Sequence, residues 1–167
     1  WEDFGRANAR RNLLRFRQKI CTFNDDMQGT GATAVAAILS GLLSAKTTIE
    51  DSQIVIFGAG TAGVGIADQL VLLMLELGMS RQVAEQKIWL IDRQGLLMKS
   101  SNELENFQLP YACADEKIQS WQLSSGDYID LFGVVNNLKP NVLIGCSGVA
   151  GAFTEKLVKA MLAGCDE

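Results

Sequence analysis

Residues 53–63 read QIVIFGAGTAG, and this stretch decides the fold. Ile54, Val55, Ile56 and Phe57 form a continuous apolar run, the pattern of a strand buried on both faces. The run passes directly into Gly58-Ala59-Gly60-Thr61-Ala62-Gly63, and an apolar helix pattern from Val64 to Leu77 follows. A GxGxxG lying between a strand and a helix marks a dinucleotide site. Gly58 permits the tight turn, Gly60 lets the backbone approach a pyrophosphate, and Gly63 lets helix and strand pack closely. Unpaired N–H groups and the positive dipole end at the helix start, around Thr61 and Ala62, favour the phosphates.

Working outward, two more apolar runs read as buried strands, Ile88 to Ile91 ending in Asp92, and Val142 to Ile144. Helix patterns alternate with them. Gly31–Ala45 is rich in small residues, Gly78 is a candidate cap for the Val64–Leu77 helix, and Arg81–Gln86 is a short helix. Asp127–Leu138 should be stopped by Pro140, and Thr154 should cap a last helix to about Ala163. This alternation predicts an α/β fold, a Rossmann-like, doubly wound, mostly parallel sheet with helices on both faces. Before it, Ala9, Leu13, Phe16 and Ile20 recur at helical spacing. Cys21–Thr30 reads as a strand end and loop, Arg93–Glu105 as loop, and Tyr111–Ala114 as a short strand. Residues 1–46 form a helical lead-in and 47–167 the Rossmann core of a single domain.

The totals exclude several classes. The 167 residues carry a net charge of −4, which points away from nucleic acid and anionic membranes. The arginines between Arg6 and Lys19 read as a solvated helix face, and no apolar run is long enough to span a membrane. Without a histidine the chain has no Ser-His-Asp or Cys-His mechanism and no His-liganded metal. Cys21, Cys113, Cys146 and Cys165 lack metal-ligand spacing and read as free thiols in a reducing compartment.

Asp92 stands where a Rossmann domain places the acid that bonds the adenosine ribose, although further past Gly63 than the usual ~20 residues. It reads either as that acid, which favours NAD, or as a surface aspartate. Arg93 beside it could receive a 2′-phosphate. The second glycine turn, Gly145 to Gly151 with Ser147 and Gly148, reads as a backbone contact to the nicotinamide half or as an ordinary turn. Glu2-Asp3 and Asp25-Asp26 flank one helix. Their oxygens suit Mg²⁺ or Mn²⁺ if the fold brings them together, and are loop acids if it does not.

Glu2-Asp3-Phe4, FNDDMQGT over Phe23–Thr30, the Gly58–Gly63 turn, Asp92-Arg93-Gln94-Gly95-Leu96-Leu97 and Leu143-Ile144-Gly145-Cys146-Ser147-Gly148 together resemble the malic enzymes. The resemblance runs over essentially the whole chain. It implies metal ligation of Mg²⁺ or Mn²⁺ by Glu2, Asp3 and Asp26, with Asp25 facing a catalytic lysine from behind them. Gly58, Thr61, Ala62 and Asp92 would hold the cofactor. NAD is expected rather than NADP, from Asp92 and from Gln108 at a position where NADP-preferring members tend to carry lysine. The implied reaction is oxidative decarboxylation of L-malate to pyruvate and CO₂.

The Tyr–Lys acid–base pair of the family precedes the EDF segment and is absent here. The Ser-Asn-Pro segment and the later Asn that contact malate would follow Glu167. Tyr111 and Tyr128 lie in the wrong places to replace the tyrosine. The chain is therefore expected to be a piece of a longer malic enzyme, a homodimer or homotetramer of the cytoplasm or mitochondrial matrix, and inactive alone. The alternatives are a malolactic enzyme, which shares the motifs, and a bare dinucleotide-binding module.

Overall fold

The computed structural model describes residues 1–122 and 128–164. Its centre is a four-stranded sheet in the order β3-β2-β1-β4. β1 (Ile54–Phe57) lies between β2 (Ile88–Asp92) and β4 (Val142–Gly145), parallel to both. β3 (Gly95–Leu96) turns back antiparallel on β2.

Alternation along the strands explains why both faces are covered. Ile54 and Ile56 of β1, with Ile88 and Leu90 of β2, point to one side. They meet α2 (Thr30–Ser44), α3 (Thr61–Glu76) and α4 (Arg81–Gln86). Val55, Trp89 and Ile91 point to the other side and meet α5 (Leu131–Leu138) and α6 (Glu155–Leu162). α3 carries the chain from β1 to β2 on one face, and α5 carries it back past β1 to β4 on the other. Right-handed crossovers in opposite directions require this arrangement. The expected doubly wound fold is what the chain adopts.

α3 is the most buried helix, because Val64, Ile66, Ala67, Leu70, Val71 and Met74 leave it little polar face. It ends in a Schellman motif: the Met79 amide donates to the Met74 carbonyl at 3.0 Å and the Gly78 amide to Leu75 at 2.9 Å, with Gly78 at φ +92°. α5 ends at Lys139, which stands in the left-handed region at φ +53° and donates its amide to the Val135 carbonyl, and Pro140 follows it. Ser80 and Thr154 cap α4 and α6 through their hydroxyls.

Five local expectations are corrected. Cys21–Thr30 contains no strand: Asp25–Gly29 winds into a single π-helical turn, because Asn24 accepts from the Met27 amide and α2 starts immediately after it. The turn between Asp92 and Gly95 is tight enough to pair Gly95-Leu96 as β3, where loop was expected. Tyr111–Ala114 is not a strand: Pro110 starts a 3₁₀ turn over Leu109–Tyr111, and Cys113 makes one isolated bridge to Met98. α5 starts only at Leu131, capped by Asp130, and the expected start at Asp127 lies outside the described residues. The lead-in helix α1 (Arg6–Phe16) buries Ala9 and Leu13 but ends before Ile20, which is exposed. No helix among the described residues is long and apolar enough to cross a membrane.

Leu70 is fully enclosed where α3 crosses the sheet. Leu70→Ala should destabilise the domain by about 2–5 kcal/mol, and Gly78→Ala by about 1 kcal/mol through its left-handed backbone. Shifts in the denaturation midpoint of the two variants test this ranking.

Candidate functional site

In an open α/β sheet the ligand crevice lies outside the carboxyl ends of the strands, where the chain switches direction. Here that point is between the ends of β1 and β4. The Gly58 amide donates to the Ile91 carbonyl at 2.8 Å, and the Cys146 amide donates to Phe57 at 2.9 Å, so the three parallel strands end together.

The three motif glycines have different surroundings. Gly58 stands at φ +119°, and a Cβ on it would lie 2.7 Å from the backbone of Cys146 and Ser147. A Cβ on Gly63 would overlap the Gly58 carbonyl oxygen. Gly60 is the opposite case, with nothing within 4 Å of the position a Cβ would take. Two glycines are closed by protein and one faces open space, which is the fit a pyrophosphate requires. Thr61 and Ala62 open α3 beyond it, and no side chain caps that helix start.

Asp92, at the end of β2, accepts from the Arg93 amide at 3.0 Å and from the Gln108 side-chain amide at 3.3 Å. Gln108 is buried. Its Nε2 also donates to the Ala59 carbonyl at 2.8 Å, and its Oε1 accepts from the Glu105 amide at 3.0 Å. It therefore ties the glycine turn to the acid of β2. The second turn bounds a groove of about 430 Å³ lined by Phe57, Ser147, Gly148 and Phe153 among others. Gly148 and Gly151 both have positive φ, and the Ser147 hydroxyl accepts from the Val149 amide at 3.2 Å.

The Cys146 thiol donates to the Gly58 carbonyl at 3.2 Å and so fastens the second turn to the first. Burial, and then the Asp92 charge, push this thiol up to about 11, and burial does the same to Cys113. Cys21 is exposed, and Cys165 lies outside the described residues.

The acids come together in part. The Trp1 backbone nitrogen donates to the Phe23 carbonyl at 2.9 Å, the Asp25 amide donates to the Trp1 carbonyl at 3.1 Å, and Trp1 stacks on Phe16. These contacts lay the first residues alongside the π-helical turn. The Asp3 amide then donates to Asp26 Oδ2 at 3.0 Å, with Asp3 at φ +58°. Glu2 is exposed nearby, and Asp25 folds back over Gly29. The all-oxygen donor set suits Mg²⁺ or Mn²⁺. Among the described residues, however, no three acidic, histidine or cysteine side chains converge as a metal cluster.

Residues 27–167 match the family model described as malic enzyme, NAD binding domain. The chain belongs to that family. NAD-dependent malic enzyme 3 of Bacillus subtilis is 49% identical over 162 residues, covering 96% of this chain and 29% of its own. The NAD-dependent malic enzyme of Shewanella pealeana is 42% identical over 165 residues, covering 99% and 29%. Among solved structures, the NAD-dependent malic enzyme of Thermotoga maritima superposes with a TM-score of 0.70 at 26% identity, over 96% of this chain and 38% of that one. The chain thus spans about three tenths of the length of the curated relatives it matches.

Two features of this malic enzyme domain escaped the sequence reading. The Cys146 thiol bond has no sequence signal. Gly65 has one, since a glycine inside a helix usually marks a close approach. A Cβ on Gly65 would lie 2.7 Å from the Met27 carbonyl oxygen, so α3 packs directly against the acid-bearing turn.

A thiol that holds its proton more tightly when folded contributes stability below its unfolded value of 9.0, and that stability is lost as pH rises towards 11. Alkylation read by mass spectrometry should label Cys21 well ahead of Cys113 and Cys146 near neutral pH. Labelling of Cys113 and Cys146 should rise only as the pH climbs through that window.

Proposed function

We propose that this chain is the nucleotide-binding part of an NAD-dependent malic enzyme. L-malate and NAD⁺ would give pyruvate, CO₂ and NADH: hydride leaves C2 for the nicotinamide, the C2 hydroxyl loses its proton, and the C3–C4 bond breaks to release CO₂, leaving its electron pair on C3, which takes up a proton. The observation that most supports this reading is the Asp3–Asp26 hydrogen bond, which joins the two acid segments beside the helix that leaves the glycine turn. A bare dinucleotide module has no use for that juxtaposition.

In this reading the turn from Gly58 to Gly63 and the first N–H groups of α3 bind the pyrophosphate. Asp92, held by Gln108, accepts from the adenosine ribose hydroxyls and repels a 2′-phosphate, which selects NAD over NADP. Ser147 and Gly148 border the nicotinamide half. Glu2, Asp3 and Asp26 would hold Mg²⁺ or Mn²⁺, and Asp25 would face the catalytic lysine. A bound divalent ion supplies Lewis-acid polarisation of the malate C2 oxygen. The general acid and base belong to segments outside this chain, so residues 1–167 alone should not turn malate over. The parent would be a homodimer or homotetramer of the cytoplasm or, second, the mitochondrial matrix.

In the full-length protein, Asp26→Asn should weaken Mn²⁺ binding more than about 100-fold, beyond the range found for groups that only support a ligand. Calorimetry with Mn²⁺ measures it, and an unchanged affinity would leave only the dinucleotide module. Lactate as the product, with NAD regenerated, would point instead to malolactic chemistry. Asp92→Ala should shift preference from NAD towards NADP by about tenfold, equivalent to ~1.4 kcal/mol, as the ratio of the two kcat/KM values.

A further inference from the structure

Three residues beyond Gly65, on the same face of α3, stands Asp68. Its Oδ2 accepts from Arg10 Nη1 at 2.7 Å, and its Oδ1 accepts from the Tyr111 hydroxyl at 2.7 Å. Arg10 belongs to α1, the helix directly after Glu2 and Asp3, and its guanidinium also lies 5.7 Å from the centre of the Phe107 ring. Tyr111 is 5% exposed, and its amide donates to the carbonyl of Gln108 at 3.0 Å. Gln108 in turn holds Ala59 of the glycine turn and Asp92. One carboxylate thus connects the helix behind the acids to the segment that fixes the ribose acid. Burial, and then the Asp68 charge, push the Tyr111 hydroxyl well above its ordinary range, so it remains a donor to Asp68 at any working pH.

We propose that Asp68 is a positioning residue for the malate reaction: shared between Arg10 and Tyr111, its carboxylate fixes where the acids at Asp3 and Asp26 stand relative to the dinucleotide turn. The proposal rests on the malic enzyme reading. Asp68 lies on the flank of α3 and is one third exposed, so it does not build the hydrophobic core. What it adds to the packing of Gly65 on Met27 is a polar link on either side of α3. Gly65 against Met27 fixes how close α3 and the acid turn come. Asp68 links α3 to α1, the helix that follows Glu2 and Asp3, on one side and to the 3₁₀ turn at Tyr111 on the other.

The test uses the full-length enzyme with Asp68→Ala, Asp68→Asn and Tyr111→Phe. Asp68→Ala should lower kcat for malate about tenfold or more and change the primary isotope effect with C2-deuterated malate. It should weaken Mn²⁺ binding about fivefold, while the Kd for NAD alone stays within about twofold. Asp68→Asn, which keeps one acceptor, should recover part of each loss. Tyr111→Phe should show the same pattern more weakly, and it carries the test if Asp68→Ala does not fold. Unchanged kcat, isotope effect and Mn²⁺ affinity in Asp68→Ala would overturn the proposal. So would losses that follow only a lowered thermal midpoint and appear equally in NAD binding. A wild-type protein that does not oxidise malate would remove the malic enzyme reading and this proposal with it, whereas an active wild type with an indifferent Asp68→Ala would remove this proposal alone.

Discussion

The crevice depends on a steric constraint at Gly58. Its amide is bonded to β2, its carbonyl receives the thiol of Cys146, and the same carbonyl is covered by Gly63. Three backbones meet there, and the small Cys146 thiol is the side chain that reaches in among them. A side chain at Gly58 or Gly63 would strike main chain, which cannot rotate aside as a flexible side chain can. Interiors at native density have no slack to absorb such a collision. The geometry of the turn is thus set in good part by the side chains that have been left out.

α3 carries this constraint into the rest of the molecule. Its first turn packs on the glycine loop through Gly63, its second on the acid-bearing turn through Gly65, and its remaining length is buried against the sheet by Leu70, Val71 and Met74. The helix that follows the glycine turn is thus also the surface against which the acid-bearing turn packs. The polar contacts of Gln108 then reach from the glycine loop to the end of β2, so the parts expected to hold adenosine, pyrophosphate and nicotinamide rest on one rigid frame.

Most of this frame was legible in the sequence, because buried parallel strands are short apolar runs and the glycine turn has a fixed sequence of roles. The expected bounds of β1, β2 and α4 agree with the structure for that reason. Cys21–Thr30 misled because Phe23 beside polar residues looks like a strand end, whereas the Asn24 cap and the helix behind it decide the backbone. β3 is two residues long and carries no periodicity at all. The meeting of Asp3 with Asp26 could be named only through family resemblance, since spacing does not say whether two loops fold together. Asp68 gave no local signal: a charged residue on an otherwise apolar helix reads as a solvated position until Arg10 and Tyr111 are seen to arrive from distant parts of the chain.

The sheet order has a colloidal consequence. One edge, β3, is so short that it offers little to pair with. The other edge, β4, is bonded among the described residues to β1 alone, and Val142, Leu143 and Ile144 are only half-buried. A strand in that state presents a row of amides and carbonyls with apolar flanks, a template for any extended chain nearby. At high concentration, an uncovered β4 edge is where chains of this kind would first pair with one another.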